Sequence, residues 1–418
     1  MRQMQFERCW VLSLACSILG GGCEVVTKDP PTRDAGFDGA EVPDAVGDAT
    51  QSSPDGGSCQ PGWGDCTAAP GCETDLLASA TNCGKCGHDC LGVSCGMALC
   101  EPTQLGTAQV GVFGQSIGVH GQTVYWITGD TIQGALWTCP TSGCPAMLAA
   151  LNPTSGHPWA SVLDSRQVFW LDKLGVLSCP LTGCGSGPTR LSPEEPVSGG
   201  IAIDAASHVY WTDTNNKVVK KYDNSLLPGT EIVQLSTTSS LPTSIAVDGS
   251  TVYWLEVSSS SMDPIPPDGR LMRCSTACTN NAMTFVIDQR LHAESWFAVN
   301  ELTVANSNVY WIAATGLTSP LSRVMTCPTT GCGDHPSPFG DVDTRAPGLY
   351  SDGTYLYWAT KDLQFNIARR RLDGTGPAEK FATTIGPVSA ITSDATYIYW
   401  IESSGLGAGP LYLMKAPR

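Results

Sequence analysis

The stretch "SIAVDGSTVYWLEV", residues 244–257, has two short apolar runs with an acid-glycine turn between them. Residues 248–250, Asp-Gly-Ser, favour a turn, because glycine tolerates positive φ and an aspartate side chain accepts hydrogen bonds from nearby backbone amides. Residues 252–254, Val-Tyr-Trp, are β-branched and aromatic, as in strands. The stretch therefore predicts a β-hairpin.

Relatives of this hairpin recur along the chain, at 117–127, 161–171, 201–213, 302–312, 348–359 and 390–401. The seven units end on Trp126, Trp170, Trp211, Trp254, Trp311, Trp358 and Trp400. These tryptophans are 44, 41, 43, 57, 47 and 42 residues apart. A period in the low forties is typical of the blades of a β-propeller. In a strand Val252 and Trp254 share one face and Tyr253 takes the other, so both faces need a neighbouring sheet, as stacked blades provide.

Most units continue with a third strand that runs into a cysteine, a short turn and a second cysteine. Two cysteines across so short a hairpin loop are within disulfide reach. Local disulfides are therefore predicted for four pairs: Cys139 with Cys144, Cys179 with Cys184, Cys274 with Cys278, and Cys327 with Cys332. Units three, six and seven lack such a pair.

The two ends of the repeat region predict how the ring closes. The last unit stops at 411–418, after its third strand, and the segment 103–111 can supply the missing fourth strand. A ring closed in this way has no open sheet edge. We therefore predict an all-β fold, a seven-bladed β-propeller over 101–418, with a six-bladed ring and one aberrant unit as the alternative.

The first residues predict export. Residues 1–22 have a basic start, a short apolar run and three glycines, and Cys23 follows. This arrangement resembles the lipobox of bacterial lipoproteins, in which small residues precede a cysteine that is lipidated. The resemblance implies a lipid anchor at Cys23 in the outer membrane, on its periplasmic or surface side. An ordinary cleaved signal peptide is the alternative.

Residues 23–58 are acidic, rich in Pro and Gly and poor in aromatic residues, which predicts a disordered tether. The formal net charge of the chain is −16, which argues against nucleic acid and against anionic lipid as main partners. The only membrane contact expected is therefore through the lipid anchor.

Residues 59–100 carry eight cysteines, and another eight lie in the propeller hairpins. Even numbers of cysteines are typical of an oxidising compartment, so the segment is predicted to be a small module held by four disulfides. A zinc site with Cys83, Cys86, His88 and Cys90 as ligands is the alternative. The pattern "GCETDL" followed by "NCGKCGHDC" resembles a module of secreted and surface proteins of myxobacterial type, for which no activity is implied.

The repeats resemble the YWTD repeats of lipoprotein-receptor ectodomains, since residues 210–213 read Tyr-Trp-Thr-Asp. The other units depart from that motif, for example "YWLE" and "YWIE", and the receptor domains have six blades. The resemblance therefore implies a propeller and no particular ligand.

Two patterns raise the question of catalysis. Residues 114–118, "GQSIG", match the nucleophile pattern G-x-S-x-G, but Ser116 falls on an innermost strand of an all-β unit, not on a strand-to-helix turn. His157, His292 and His335 are assigned to connections between units, where three imidazoles could bind a metal or serve a lyase of the streptogramin-lyase type. Solvated loop histidines are the alternative.

The connections between units also carry the residues expected to bind a partner: His157, Trp159, Trp296, Phe297 and Arg345. Aromatic side chains on a rim often mark a binding surface. We therefore expect a non-catalytic envelope protein that binds a protein, peptide or glycan, with no catalytic residue, cofactor or metal. The alternatives are a lyase or hydrolase with its site at the channel mouth, and a purely structural envelope protein.

Overall fold

The computed structural model describes residues 59–67, 71–108, 113–129, 134–145, 149–152, 158–193, 197–257, 269–287, 302–314, 321–333, 335–343, 348–361, 364–404 and 409–418. These residues form strands and turns without a helix, and hence contain no helix able to cross a membrane. The predicted signal peptide, the tether and Cys23 lie outside the described residues.

The cysteine-rich module is built from two very short hairpins. Its strands are β1 (Trp63–Gly64), β2 (Thr74–Asp75), β3 (Cys95–Gly96) and β4 (Leu99–Cys100), paired β1 with β2 and β3 with β4. Four disulfides hold it together: Cys59–Cys72, Cys66–Cys86, Cys83–Cys95 and Cys90–Cys100. The alternative zinc site is wrong, because all three of its cysteines are bonded to other cysteines and offer no thiolate.

The rest of the described chain forms seven four-stranded antiparallel sheets, which are the blades. Blades 1 and 2 consist of β6 (Phe113–His120), β7 (Thr123–Gly129), β8 (Gly134–Pro140), β9 (Ala149–Asn152), then β10 (Ala160–Leu163), β11 (Gln167–Asp172), β12 (Gly175–Pro180) and β13 (Thr189–Arg190). Blades 3 and 4 consist of β14 (Ile201–Ile203), β15 (Val209–Asp213), β16 (Val218–Tyr222), β17 (Ile232–Thr237), then β18 (Leu241–Asp248), β19 (Thr251–Val257), β20 (Arg270–Ser275) and β21 (Met283–Ile287).

Blades 5 and 6 consist of β22 (Leu302–Ala305), β23 (Asn308–Ala314), β24 (Leu321–Pro328), β25 (Ser337–Asp343), then β26 (Tyr350–Ser351), β27 (Tyr355–Lys361), β28 (Phe365–Arg371) and β29 (Glu379–Thr384). Blade 7 has the strand order β30 (Val388–Ser393), β31 (Tyr397–Ser403), β32 (Leu411–Pro417) and β5 (Thr103–Ala108). The predicted closure by a strand from the front of the repeat region is confirmed, and the six-bladed alternative is excluded.

The Tyr-Trp pairs fill the spaces between blades. All seven closing tryptophans are at most 1% exposed. Each packs in one apolar cluster with the aromatic residue that precedes the tryptophan of the blade before it. The pairs are Tyr125 with Trp170, Phe169 with Trp211, Tyr210 with Trp254, Tyr253 with Trp311, Tyr310 with Trp358, Tyr357 with Trp400, and Tyr399 with Trp126. The repeated triplet is therefore the core of the ring, with one large side chain for each neighbour.

The aspartate of the turn has a second task besides closing the hairpin. Asp352 accepts hydrogen bonds from the amides of Thr354 and Tyr355 and, at 3.0 Å, from the hydroxyl of Tyr357. Asp394 likewise accepts from Tyr399, at 2.7 Å. In these two blades the acid therefore fixes the turn and orients the tyrosine that packs against the next blade.

The four predicted cysteine pairs are bonded within their own hairpins: Cys139–Cys144, Cys179–Cys184, Cys274–Cys278 and Cys327–Cys332. Two of these loops also contact the outer strand of the preceding blade. The Cys144 amide donates to the Leu105 carbonyl, and the Asn280 amide donates to the Leu235 carbonyl, both at 2.8 Å. The stapled loops thus add backbone hydrogen bonds between blades.

Arg418 links the module to the ring. Its guanidinium lies 2.7 Å from Asp352 Oδ2 and donates to the Asp394 carbonyl, so it joins the turns of blades 6 and 7. His88 Nε2 of the module lies 3.2 Å from the Arg418 carbonyl oxygen. The module therefore sits beside the turns that join first and second strands.

Candidate functional site

The strand order gives the ring two different faces. The loops between second and third strands and the connections between blades lie at one end of the sheets, here called the connection face. Its described second strands end at Gly129, Asp172, Asp213, Val257, Ala314, Lys361 and Ser403. The turns between first and second strands and the stapled hairpins lie at the other end, here called the turn face. Trp159, one of the five residues predicted to bind a partner, belongs to a connection of the connection face.

A cavity of about 150 Å³ lies where the first strands of four blades meet. First strands of neighbouring blades contact each other around the ring, so they surround its axis. The cavity is lined by Ser116, Ile117, Ser161, Leu349, Tyr350, Ala390, Ile391 and Thr392. Four of these side chains carry a hydroxyl group, three are aliphatic beyond alanine, and none carries a charge. The cavity is thus part of the central channel and is lined by blades 1, 2, 6 and 7.

The Ser116 hydroxyl forms hydrogen bonds between blades 1 and 2. Its Oγ donates to the carbonyl of Ser161 at 3.0 Å and accepts from the amide of the same residue at 3.1 Å. The Ser161 hydroxyl also lies 2.9 Å from it. Ser116 is 4% exposed, and among the described residues neither a histidine nor an acid is hydrogen-bonded to it. A serine nucleophile needs a base within hydrogen-bond reach, so the arrangement supports no G-x-S-x-G hydrolase.

One position of the first strands breaks the repeat. In six blades the strand register gives the first-strand residue that pairs with the closing tryptophan: Ile117, Ser161, Ile201, Ile245, Leu302 and Ile391. Five of these are Ile or Leu, and only blade 2 has a polar residue there. Ser161 is therefore the polar member of an otherwise aliphatic layer between the blades, and it also lines the cavity.

Of the five predicted binding residues, the structure describes Trp159 alone. Its indole N–H donates to the Val197 carbonyl at 2.6 Å, and its ring packs against the cluster between blades 2 and 3. Trp159 therefore joins two successive connections, and its side chain is half-buried. His157, Trp296, Phe297 and Arg345 lie outside the described residues, so their role stays a prediction.

The prediction that His157, His292 and His335 all lie in connections between blades is wrong for His335. His335 lies between β24 and β25, inside blade 5, and is exposed at the turn face. It therefore cannot share a metal or a substrate with residues on the connection face. His157 and His292 lie outside the described residues. The described part of the connection face carries no histidine.

Two buried glutamates lie near the connection face. Trp254 Nε1 donates to Glu256 Oε1 at 2.9 Å, and Trp400 Nε1 donates to Glu402 Oε2 at 2.8 Å. Burial raises the pKa of both carboxyl groups. Each shares a strand face with its tryptophan, so it points between blades and not into the channel. This contact could have been predicted from the "YWLE" and "YWIE" motifs. Their acid stands two residues after the tryptophan, which places both side chains on one face of the strand.

No protein-family model and no curated protein matches the sequence. Solved structures match the fold. A virginiamycin B lyase from Staphylococcus aureus is 13% identical with a TM-score of 0.51, and the match covers 75% of this chain and 98% of the lyase. A catalytically inactive variant of that lyase with quinupristin is 12% identical with a TM-score of 0.52, again over 75% of this chain and 98% of that chain.

A puromycin-hydrolyzing peptidase from Mycobacterium tuberculosis is also similar. It is 10% identical with a TM-score of 0.50, and the match covers 73% of this chain and 53% of the peptidase. Identities this low show a shared fold alone. Propellers host both binding and catalytic functions, so function has to be argued from the site.

Proposed function

We propose that the protein is a non-catalytic binding protein of the cell envelope that holds a protein, peptide or glycan at the connection face. The observation that carries this proposal is the chemistry of the channel cavity. Its eight lining residues offer hydroxyl groups and aliphatic surface, and none of them is an acid, a base or a histidine. Such a wall can bind a neutral group, but it lacks the perturbed titratable pairs on which acid-base catalysis depends.

Export and anchoring are part of the proposal. Eight disulfides among the described residues indicate an oxidising compartment, extracellular or in the envelope. The basic start, apolar run and glycines before Cys23 support a lipid anchor, with residues 23–58 as the tether. We assign the anchor to the outer membrane. The net charge of −16 supports a partner other than nucleic acid.

The lyase or hydrolase alternative has less support. The Ser116 hydroxyl is hydrogen-bonded to the neighbouring blade, and His335 lies on the opposite face. The likeness to a lyase and to a peptidase concerns the fold, which is compatible with either function.

The test is capture from an envelope extract by the full-length protein in detergent. Trp296→Ala and Arg345→Ala are the rim variants, because truncating an interface anchor commonly costs about 2 kcal/mol or more of binding. Leu227→Ala is the matched control, since Leu227 is 76% exposed in a hairpin of the turn face. We expect both rim variants to lose captured partner while all three variants melt like the wild type.

Equal capture by the rim variants and the control would show that the connection face is not the binding surface. Turnover of a captured ligand by the wild-type protein would replace the binding function with the enzymatic alternative.

A further inference from the structure

Blade 7 is closed without a loop between its third and fourth strands. In the other six blades these strands follow each other along the chain, whereas blade 7 pairs β32 with β5. The two strands come from opposite ends of the repeat region, and their pairing runs from Leu411 with Ala108 to Lys415 with Thr103. Because no hairpin loop links β32 to β5, the closure of the ring at this place depends on non-covalent contacts.

The stapled hairpin loop of blade 1, residues 139–144 and here called the closure loop, contacts both of these strands. The Cys144 amide donates to the Leu105 carbonyl of β5 at 2.8 Å. The Thr141 carbonyl accepts from Lys415 Nζ of β32 at 2.7 Å. The loop therefore holds the two strands through its own backbone, and its shape decides whether both hydrogen bonds form.

A β-bulge in β5 leaves the Leu105 carbonyl available to the closure loop. The strand pairing skips Leu105, which lies in the bulge opposite Leu413 and Met414. The extra residue of a bulge is not paired with the partner strand, so its carbonyl can accept from the Cys144 amide. The Leu105 side chain also packs in the same buried cluster as Cys139. Blade 1 thus holds β5 by a backbone hydrogen bond and by apolar packing.

The disulfide between Cys139 and Cys144 fixes the shape of the closure loop. It joins β8 directly to the residue that donates to Leu105. Without this bond, Cys144 is linked to β8 only through residues 140–143, and ordering its amide against β5 costs more conformational entropy. Cys139 is fully buried and Cys144 is half-buried, so Cys144 is the member of the pair that a thiol in solution can approach.

We infer that the Cys139–Cys144 disulfide is a redox-sensitive lock on the closure of the ring. A thiolate of a dithiol reductant attacks the Cys144 sulfur, which releases the Cys139 thiolate and forms a mixed disulfide. The second thiol of the reductant then displaces Cys144. Two electrons and two protons pass to the cysteines, and the reductant leaves as a disulfide.

Reduction of the lock loosens the contact between the closure loop and β5. The pairing of β5 with β32 then opens more readily than the pairing of the other outer strands, which hairpin loops hold in place. An opened seam exposes two sheet edges that can pair with other chains. In an oxidising compartment the bond stays intact and the ring stays closed.

The stapled loop of blade 2 provides a matched control. Residues 139–144 read Cys-Pro-Thr-Ser-Gly-Cys, and residues 179–184 read Cys-Pro-Leu-Thr-Gly-Cys. The Leu181 carbonyl likewise accepts from a side chain of the preceding blade, the Tyr125 hydroxyl, at 3.2 Å. That preceding blade is blade 1, whose outer strand β9 follows β8 along the chain. Loss of the blade 2 disulfide should therefore leave the seam between β32 and β5 closed.

The test compares Cys139→Ala/Cys144→Ala and Cys179→Ala/Cys184→Ala with the wild type. Hydrogen exchange is followed by mass spectrometry on the full-length protein in detergent. We expect the amides of residues 103–108 to exchange roughly tenfold or more faster in the first variant and at the wild-type rate in the second. Dithiothreitol should raise the exchange rate of residues 103–108 in the wild type but add little in the first variant.

Equal exchange rates of residues 103–108 in the two double variants would overturn the lock. A large further rise when dithiothreitol is added to Cys139→Ala/Cys144→Ala would assign the redox sensitivity to the disulfides of the module instead. Lys415→Met serves if that variant does not fold, because it keeps every disulfide and removes the side-chain bond to the closure loop. It should speed exchange of residues 103–108, and a wild-type rate would show that the loop does not hold the seam.

Discussion

Replacing Tyr210 with phenylalanine tests the hydrogen bond that joins this buried tyrosine to Asp204 in the turn of blade 3. The Tyr210 hydroxyl donates to Asp204 Oδ2 at 2.9 Å, and the side chain is fully buried. Burial acts to raise the pKa of Asp204, but hydrogen bonds from His208 and Tyr210 outweigh it and hold that pKa below its usual value. The acceptor is therefore a carboxylate, and losing a hydrogen bond to a charged group costs about 1.5–3 kcal/mol.

Tyr125 provides the matched control, since it has the same place in blade 1 but a neutral acceptor. Its hydroxyl donates to the Leu181 carbonyl at 3.2 Å. Tyr125→Phe should cost about 0.5–1.5 kcal/mol, the range for a neutral hydrogen bond. Both variants keep the aromatic ring, so the difference between them reports the charge of the acceptor. Guanidinium titrations at pH 7 without reductant would give both free energies of unfolding.

The pH dependence gives a second check on the same pair. Because the pKa of Asp204 is lowered on folding, its stabilisation is present above the ordinary value of 3.8 and is lost as the pH falls through the folded value. The difference in the free energy of unfolding between the wild type and Tyr210→Phe should therefore become smaller below about pH 3.8. The corresponding difference for Tyr125→Phe should stay constant. Equal costs for the two variants at pH 7, or a gap for Tyr210→Phe that persists in acid, would refute the reasoning.

Two further predictions concern a buried acid and the anchor. Burial raises the pKa of Glu256 above its ordinary 4.5, so the folded state holds the proton longer and the wild type loses stability as the pH rises from that value through the folded pKa. Glu256→Gln keeps an acceptor for Trp254, and thermal melts should show it more stable than the wild type at pH 8 and equal at pH 4; a variant that is less stable at both values would contradict this. Cys23→Ser should move the protein from the membrane fraction to the soluble fraction, because anchoring depends on buried acyl methylenes. Failure of labelled fatty acid to incorporate into the wild type would exclude the anchor.

The architecture could be predicted because its determinants are local and repeated. Each hairpin needs a turn residue, a β-branched residue and an aromatic pair within about a dozen positions, and seven copies made the period visible. Cysteines that flank a short hairpin loop can pair in only one local way, so the four propeller disulfides also followed from spacing. The pairing within residues 59–100 did not, since eight cysteines allow 105 connectivities.

The position of His335 could not be predicted from the local sequence pattern. Its loop lies between the third and fourth strands of blade 5, but in sequence a hairpin loop and a connection between blades are both short polar segments with glycine and proline. Which of them a residue belongs to depends on where the outer strand begins, here at Ser337. That boundary follows from pairing with β24, and decides on which face of the ring the histidine lies.

The sequence by itself determined that the chain forms a closed ring of antiparallel blades, since the alternation of Val, Tyr and Trp demands a neighbour on each side of every sheet. Only the tertiary structure decided what the centre of that ring contains. Ser116 and Ser161 are 45 positions apart, and Tyr350 and Thr392 come from the far end of the repeat array. Their local sequence does not show that they lie together, and they share a cavity because closure brings the first strand of blade 7 against that of blade 1.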